Sequence, residues 1–389
     1  MRIPKFTFWR AILAVVLAAG AYATILRFTR GLGASTHLSD AFPWGLWIGF
    51  DVLCGVMLAA GGFTLTATVY IFHLEKFRPI VRPTILTAFL GYVLVVVALL
   101  YDLGRGYRIW HPLVMWNPRS VMFEVAWCVT LYTSVLALEF AGIIFERLHL
   151  HKLQRIQHMI LIPLVIAGVL LSTLHQSSLG SLYLIVPNKL HPLWYTPLLP
   201  LLFFVSAICV GLAMTIFESC MSSRHFGKQL EMPLLMGLGR TLLVVLWLYT
   251  VIRFEDLFES GALKLVARGG YEANLFLLEV IMGLALPIGL LMVPKVRESV
   301  GGLYLCSVLV LLGFVTNRLN VAITGMEASA GMHYFPKWTE MAVTASIIGV
   351  AFAIFAFAVN YLPIFQAEEH RVRQPEAAES VTELSHARS

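Results

Sequence analysis

ILIPLVIAGVLLSTLHQSSLGSLYL, residues 160 to 184, begins as hydrocarbon and ends crowded with polar side chains. About 20 mostly apolar residues cross a hydrocarbon core of about 30 Å as a helix, and residues 157 to 176 make such a run. His175 therefore falls at the end of a membrane span while still on its apolar side, with Gln176, Ser177 and Ser178 directly after it. An embedded ionisable group is costly and asks for a partner, a water-filled cavity or a function.

The same pattern extends along the chain. Of its 389 residues 59% are hydrophobic and 13% charged, against about 25% charged in soluble domains. Ten runs are long enough to cross, near 11 to 28, 44 to 72, 84 to 101, 120 to 145, 157 to 176, 196 to 219, 233 to 252, 274 to 293, 301 to 317 and 340 to 361. The expected fold is an all-α integral membrane domain of ten spans over residues 1 to 363, followed by a polar, disordered cytoplasmic tail over 364 to 389. The longer connections, 102 to 119, 177 to 195, 253 to 273 and 318 to 339, are too short to bury cores of their own but long enough to dock a partner. Five scattered cysteines, with no C-x-x-C, give no pattern for an iron–sulfur cluster or a zinc site, and no glycine loop for phosphate is present. Nothing points to nucleic acid.

Orientation follows from Lys and Arg. The N-terminus, the connections after the even-numbered spans and the tail hold 16 of the 28, in clusters such as EKFRPIVR and ERLHLHKLQR. This places both termini in the cytoplasm and the longer connections in the periplasm. The N-terminal stretch has the layout of a signal peptide, but is read as the first span because the tail must stay on the basic side.

On this topology seven ionisable groups from seven spans fall in the outer third: Asp51, Asp102, Glu124, His175, Arg253, Glu279 and Arg318. Each alone has a plainer reading. Asp102, Arg253 and Arg318, at span ends, resemble snorkelling interface anchors, and Gln176, Ser177 and Ser178 could merely bridge helices. Together they predict one polar pocket beneath the outer surface. A deeper set, Glu139, Glu218 and Arg240, suits a proton path or a buried ion pair. Glu124 and Glu139 are 15 residues apart, which puts them within about 60° on one helix face and about 22 Å apart along the axis.

Such a pocket suits a quinone, whose reduction takes two electrons and two protons and so needs a donor such as His and a carboxylate to relay protons. Of twelve histidines only His175 is clearly embedded in the outer half, and His73 and His158 are the pair able to meet near the inner surface. A bis-histidine haem is therefore not expected, and no metal ligand set is assigned.

At these residues the chain resembles a family. FPWGLWIGFD (42 to 51), AAGGFTLTATVYIFHLEKFRPIVRP (59 to 83), NPRSVMFE (117 to 124), LALEFAGIIFERL (136 to 148), STLHQSSLGSL (172 to 182), HPLW (191 to 194) and YFPKWTE (334 to 340) look like the NrfD-type, or polysulfide-reductase-type, membrane subunits. Within that family the likeness is greatest to the ten-span subunits of periplasmic nickel–iron hydrogenases. The resemblance implies two four-helix bundles, spans two to five and six to nine, flanked by spans one and ten. It implies a haem-free anchor in the bacterial inner membrane, bound to a periplasmic iron–sulfur protein and its hydrogenase-like or cytochrome partner, exchanging electrons with menaquinone or ubiquinone. Asp51, Glu124 and His175 would line the quinone site with Gln176, Ser177, Asp102, Trp194 and Arg318 nearby, and Glu139 would serve a proton path. Two other classes remain: a secondary transporter, whose broken, paired spans are not evident in the letters, and a purely structural anchor.

Overall fold

The structure is a computed structural model and describes residues 8 to 186, 188 to 226 and 232 to 364. The tail beyond Ile364, expected to be disordered, lies outside the described residues. Among the described residues there are helices and no strands. Ten helices are long and apolar enough to cross a membrane: spans one Phe8–Arg30, two Trp47–Ile71, three Glu75–Asp102, four Val121–Arg147, five His151–Leu184, six Leu199–His225, seven Met232–Glu259, eight Tyr271–Met292, nine Val300–Ala330 and ten Trp338–Tyr361.

Spans two and six form the middle, with 78% and 72% of their most apolar windows buried against 17% for spans one and ten. Span two packs on three, five, six and nine; span six also packs on five, seven and nine. Spans one and ten pair with each other, and ten leans on three. Lipid tails are as apolar as the helices, so association relies on close packing and small residues. Where spans two and six meet, a Cβ on Gly211 would lie 2.9 Å from the backbone of Ala60 and Gly61.

Several helices run further than hydropathy predicts. Span five continues past 176 because its hydroxyls bond back along the helix, Ser178 to Leu174 O at 2.8 Å and Ser181 to Ser177 O at 3.3 Å. Its polar residues therefore stay helical and turn inward: Ile166, Leu170 and Leu174 are exposed, whereas Ser172, His175, Gln176, Leu179 and Tyr183 share the buried face. Polarity marks the inside of this helix rather than its exit from the membrane. Gly180 permits the packing, since a Cβ there would stand 2.7 Å from Leu199 O and Pro200 Cα. Spans seven and nine likewise pass Arg253 and Arg318, so neither arginine terminates its helix. Both are buried and not snorkelling.

Span two is not continuous, contrary to the sequence reading. A π-helical segment Trp47–Cys54, a break at Ala59 and Ala60, and a second π-helical segment Ala67–Ile71 interrupt it. Spans eight and nine also carry π-helical turns, Ile281–Ala285 and Asn320–Thr324. A π turn inserts a residue and rotates the remainder of the helix about its axis, frequently at functional sites. Here Asp51 lies in the first, Glu279 two residues before the turn in span eight, and Asn320 opens the last.

Candidate functional site

The groups expected to share one pocket are sorted by the fold into three buried centres. Among the described residues no hydrogen bond or ion pair joins one centre to another; a ring contact between Tyr183 of span five and Phe203 of span six, 6.4 Å between centroids, links the first two.

The first lies among spans two to five. His175 is fully buried, and neither ring nitrogen has a hydrogen-bond partner. Its imidazole faces Tyr92 at 5.7 Å between centroids, and Tyr92 meets Tyr132 edge-on at 4.6 Å. The hydroxyls of Tyr92, Tyr132 and Ser172 and the Gln176 Oε1 are also buried, with Ser172 beside both phenols and Gln176 beside Tyr92, while Gln176 Nε2 donates to Val56 O at 3.1 Å. The cluster continues inward: Tyr132 and Glu139 flank Gly168, 3.6 and 3.8 Å from where its Cβ would stand. Beyond them Tyr70 lies within electrostatic reach of Glu139, Glu75, Arg78 and Arg82. Glu124, in the first turn of span four, belongs to the rim of this centre, where it accepts from Ser178 Oγ at 2.6 Å and is itself exposed. Ser177 is half-buried.

The second centre lies among spans six to nine. Glu279 accepts from the Trp194 indole at 3.1 and 3.2 Å, from Asn317 Nδ2 at 3.2 Å and from Asn320 Nδ2 at 2.6 Å. Trp194 is thus fastened to span eight, away from His175. Arg318 donates to Phe203 O at 3.1 Å, Ser206 Oγ at 2.7 Å and Asn317 Oδ1 at 3.3 Å, and stacks over the Phe203 ring at 3.5 Å. Arg253 donates to Leu193 O and reaches Asp256 at 3.7 Å. In the loop above, burial pushes the His191 imidazole pKa down while Glu272 opposes the shift.

The third centre joins spans one, two, three and ten. Asp51 accepts from Thr344 Oγ1 at 2.7 Å, so it turns toward span ten. Asp102 ends span three near Arg27, whose guanidinium donates to Tyr101 O at 2.6 Å and Leu103 O at 2.8 Å. Glu340 accepts from the Tyr334 hydroxyl at 2.9 Å and the Lys337 amide at 2.6 Å. Burial pushes the Tyr334 phenol up.

The convergence read from depth therefore holds only for Glu124, His175, Gln176 and Ser177; Asp51, Asp102, Trp194 and Arg318 stand elsewhere. Depth along a span carries no information about which way a side chain turns, and the π-helical segments alter that direction. The deeper set divides as well. Glu218 is buried with both carboxylate oxygens unpartnered, whereas Arg240 is exposed on span seven and forms no ion pair with it. Sequence reasoning missed Tyr92, Tyr132, Asn317, Asn320 and Glu340. Hydroxyls and amides inside spans were the available signal. His73 and His158 are exposed, and His175 is the one buried histidine among the described residues.

Fold and centres together define a multi-pass integral membrane protein with chemistry-bearing groups held between its helices. The comparisons narrow that class. The family model "Polysulphide reductase, NrfD" matches residues 34–330, and the chain belongs to that family. It is similar to a "Probable Ni/Fe-hydrogenase 2 b-type cytochrome subunit" of Escherichia coli, 35% identical over 87% of this chain and 88% of that one. It also resembles a "Menaquinone reductase, integral membrane subunit" of Nitratidesulfovibrio vulgaris, 29% identical over 94% and 93%. A further protein of that organism is 39% identical over 91% and 93%.

Proposed function

We propose that this chain is the quinone-reactive membrane subunit of a redox complex, with the centre around His175 as its site. Membership of the NrfD family and the likeness to a menaquinone reductase subunit support the substrate class. The observation that carries the site is a fully buried imidazole whose two nitrogens have no hydrogen-bond partner among the described residues, set beside the hydroxyls of Tyr92, Tyr132 and Ser172. Those donors and acceptors suit a flat ring bearing two carbonyl oxygens, walled by Tyr92 and Tyr132.

A quinone supplies an acceptor for two electrons and two protons, or the reverse as quinol. His175 holds a ring oxygen through an N–H, the Tyr92 hydroxyl donates to the quinone form, and Gln176 Oε1 accepts from a hydroxyl of the quinol form. Glu124, exposed at the rim and bonded to Ser178, exchanges protons with the outer side. Tyr132, Ser172, Glu139 and Tyr70 form the groups of a route toward the opposite face, with Glu218 a separate candidate. Asp51, Asp102, Trp194 and Arg318 are given no contact with the ring. The donor set around His175 does not fit a bis-histidine haem, because among the described residues no second histidine is buried, and no step passes through one.

The proposal includes the two-bundle division, a cytoplasmic position for both termini in the bacterial inner membrane, and an iron–sulfur partner with its catalytic subunit on the outer loops. The broken span two is the one feature that favours a transporter. Quinone-dependent turnover of the assembled complex separates the readings: His175→Ala should abolish it with assembly intact, and full activity in that variant would remove His175 from the site.

A further inference from the structure

A cavity of about 380 Å³ opens beside the second centre, between the connection after span five and the one after span seven. Sites for small molecules span about 300–1,000 Å³. Leu190, Pro192 and Tyr195 line it from the first connection, and Ala262, Leu265, Lys264 and Arg268 from the second. The first connection is held fast: His191 N donates to Gly325 O at 2.8 Å, the Trp194 indole to Glu279, and Arg253 to Leu193 O. One side of the cavity is therefore preformed.

The other side is cationic. Lys264 and Arg268 stand one turn apart on the short helix Leu263–Arg268, and both are exposed. Neither side chain makes a hydrogen bond or ion pair among the described residues. Like charges one turn apart destabilise a helix, and an anion between them relieves that. The acidic side chains nearest in sequence, Glu255, Glu259 and Glu272, do not line the cavity. Span seven ends at Glu259 and span eight starts at Tyr271, so the connection lies where two helices leave the hydrocarbon. Phe258 and Tyr271 flank it and are exposed, as aromatic side chains at the level of lipid headgroups are.

We propose that this cavity binds the headgroup of one anionic phospholipid, with Lys264 and Arg268 on the phosphodiester and the glycerol–ester region against Leu190, Ala262 and Leu265. A zwitterionic headgroup would bring a cation of its own beside two that are already there, so the site selects net negative lipid. The bound lipid ties the helix Leu263–Arg268 to the connection that carries Trp194. This inference is independent of the quinone reading and of which way the protein faces.

The test uses the assembled complex, delipidated in detergent and titrated with phosphatidylglycerol, phosphatidylcholine or inorganic phosphate while native mass spectrometry counts what is bound. A map of the same complex in phosphatidylglycerol nanodiscs locates the lipid. Saturable binding of one phosphatidylglycerol, with its phosphate between Lys264 and Arg268, is the expected result. Lys264→Gln combined with Arg268→Gln should raise the half-saturating concentration at least about tenfold, the effect of one charge-assisted contact. Lys152→Gln combined with Arg155→Gln, the same charge loss at exposed positions on span five, should leave it unchanged. Equal weakening by both pairs would show bulk attraction only and overturn the site. So would equal binding of phosphatidylcholine, displacement of the lipid by inorganic phosphate, or a map in which a partner protein or nothing fills the cavity. The wild-type titration and map decide even where a variant does not assemble.

Discussion

The His175 and Glu279 centres are both buried and both built from polar side chains of neighbouring spans, yet they are finished differently. Glu279 accepts hydrogen bonds from three side chains and has no orphan oxygen. His175 has two nitrogens with no hydrogen-bond partner among the described residues, beside the polar cluster of Tyr92, Tyr132, Ser172 and Gln176. A satisfied network fixes geometry, whereas an unsatisfied one retains binding capacity at the expense of stability. The first therefore reads as a clamp and the second as a site.

Mutations can break this contrast. The largest effect expected is on turnover: His175→Ala should lower quinone-dependent activity at least about a hundredfold, on the scale of a lost proton donor, with little loss of melting temperature. A large stability loss with activity retained would reverse the two roles. Next, Glu279→Ala should destabilise the complex by about 3–5 kcal/mol, because it leaves Trp194 and two amides without their acceptor and removes a carboxylate within electrostatic reach of Arg253. Denaturant unfolding of the purified complex measures this, and a change below about 1 kcal/mol would show that the network is not a clamp.

Smaller effects sharpen the inward extension of the His175 centre. Glu139→Gln should reduce proton uptake from the inner side in proteoliposomes while leaving electron transfer measurable, and unchanged uptake would remove Glu139 from the route. Arg240→Gln, at an exposed position with no ion pair to Glu218, should change stability by no more than about 0.5 kcal/mol. A clear loss of proton uptake in that variant would restore it to a path from which its orientation now separates it.

Much of the fold was legible because a membrane imposes length and composition on every crossing segment. Helix ends were less so: span five runs on through HQSSLGSLYL because the hydroxyls of Ser178 and Ser181 return to their own backbone, a use of polarity that hydropathy treats as an exit. Site chemistry was legible in type but not in grouping. His175 and Glu124 were read as neighbours, and they do lie in the same part of the fold, joined through Ser178. Asp51 was read at a suitable depth too, yet its π-helical segment turns it to Thr344. Arg318 looked like a span-end anchor because the helix was expected to stop there, and the structure carries span nine on to Ala330. The phenols of Tyr92 and Tyr132 gave no sequence signal apart from other aromatic residues in apolar runs, because their importance depends on lying beside His175 once packed.

The most direct measurement is a map of the assembled complex with menaquinone bound, at a resolution that places the ring. A ring oxygen within hydrogen-bonding distance of a His175 nitrogen, with the ring beside Tyr92, is the predicted result. A ring bound elsewhere, with His175 enclosed by protein and capped by no ligand, would contradict the account.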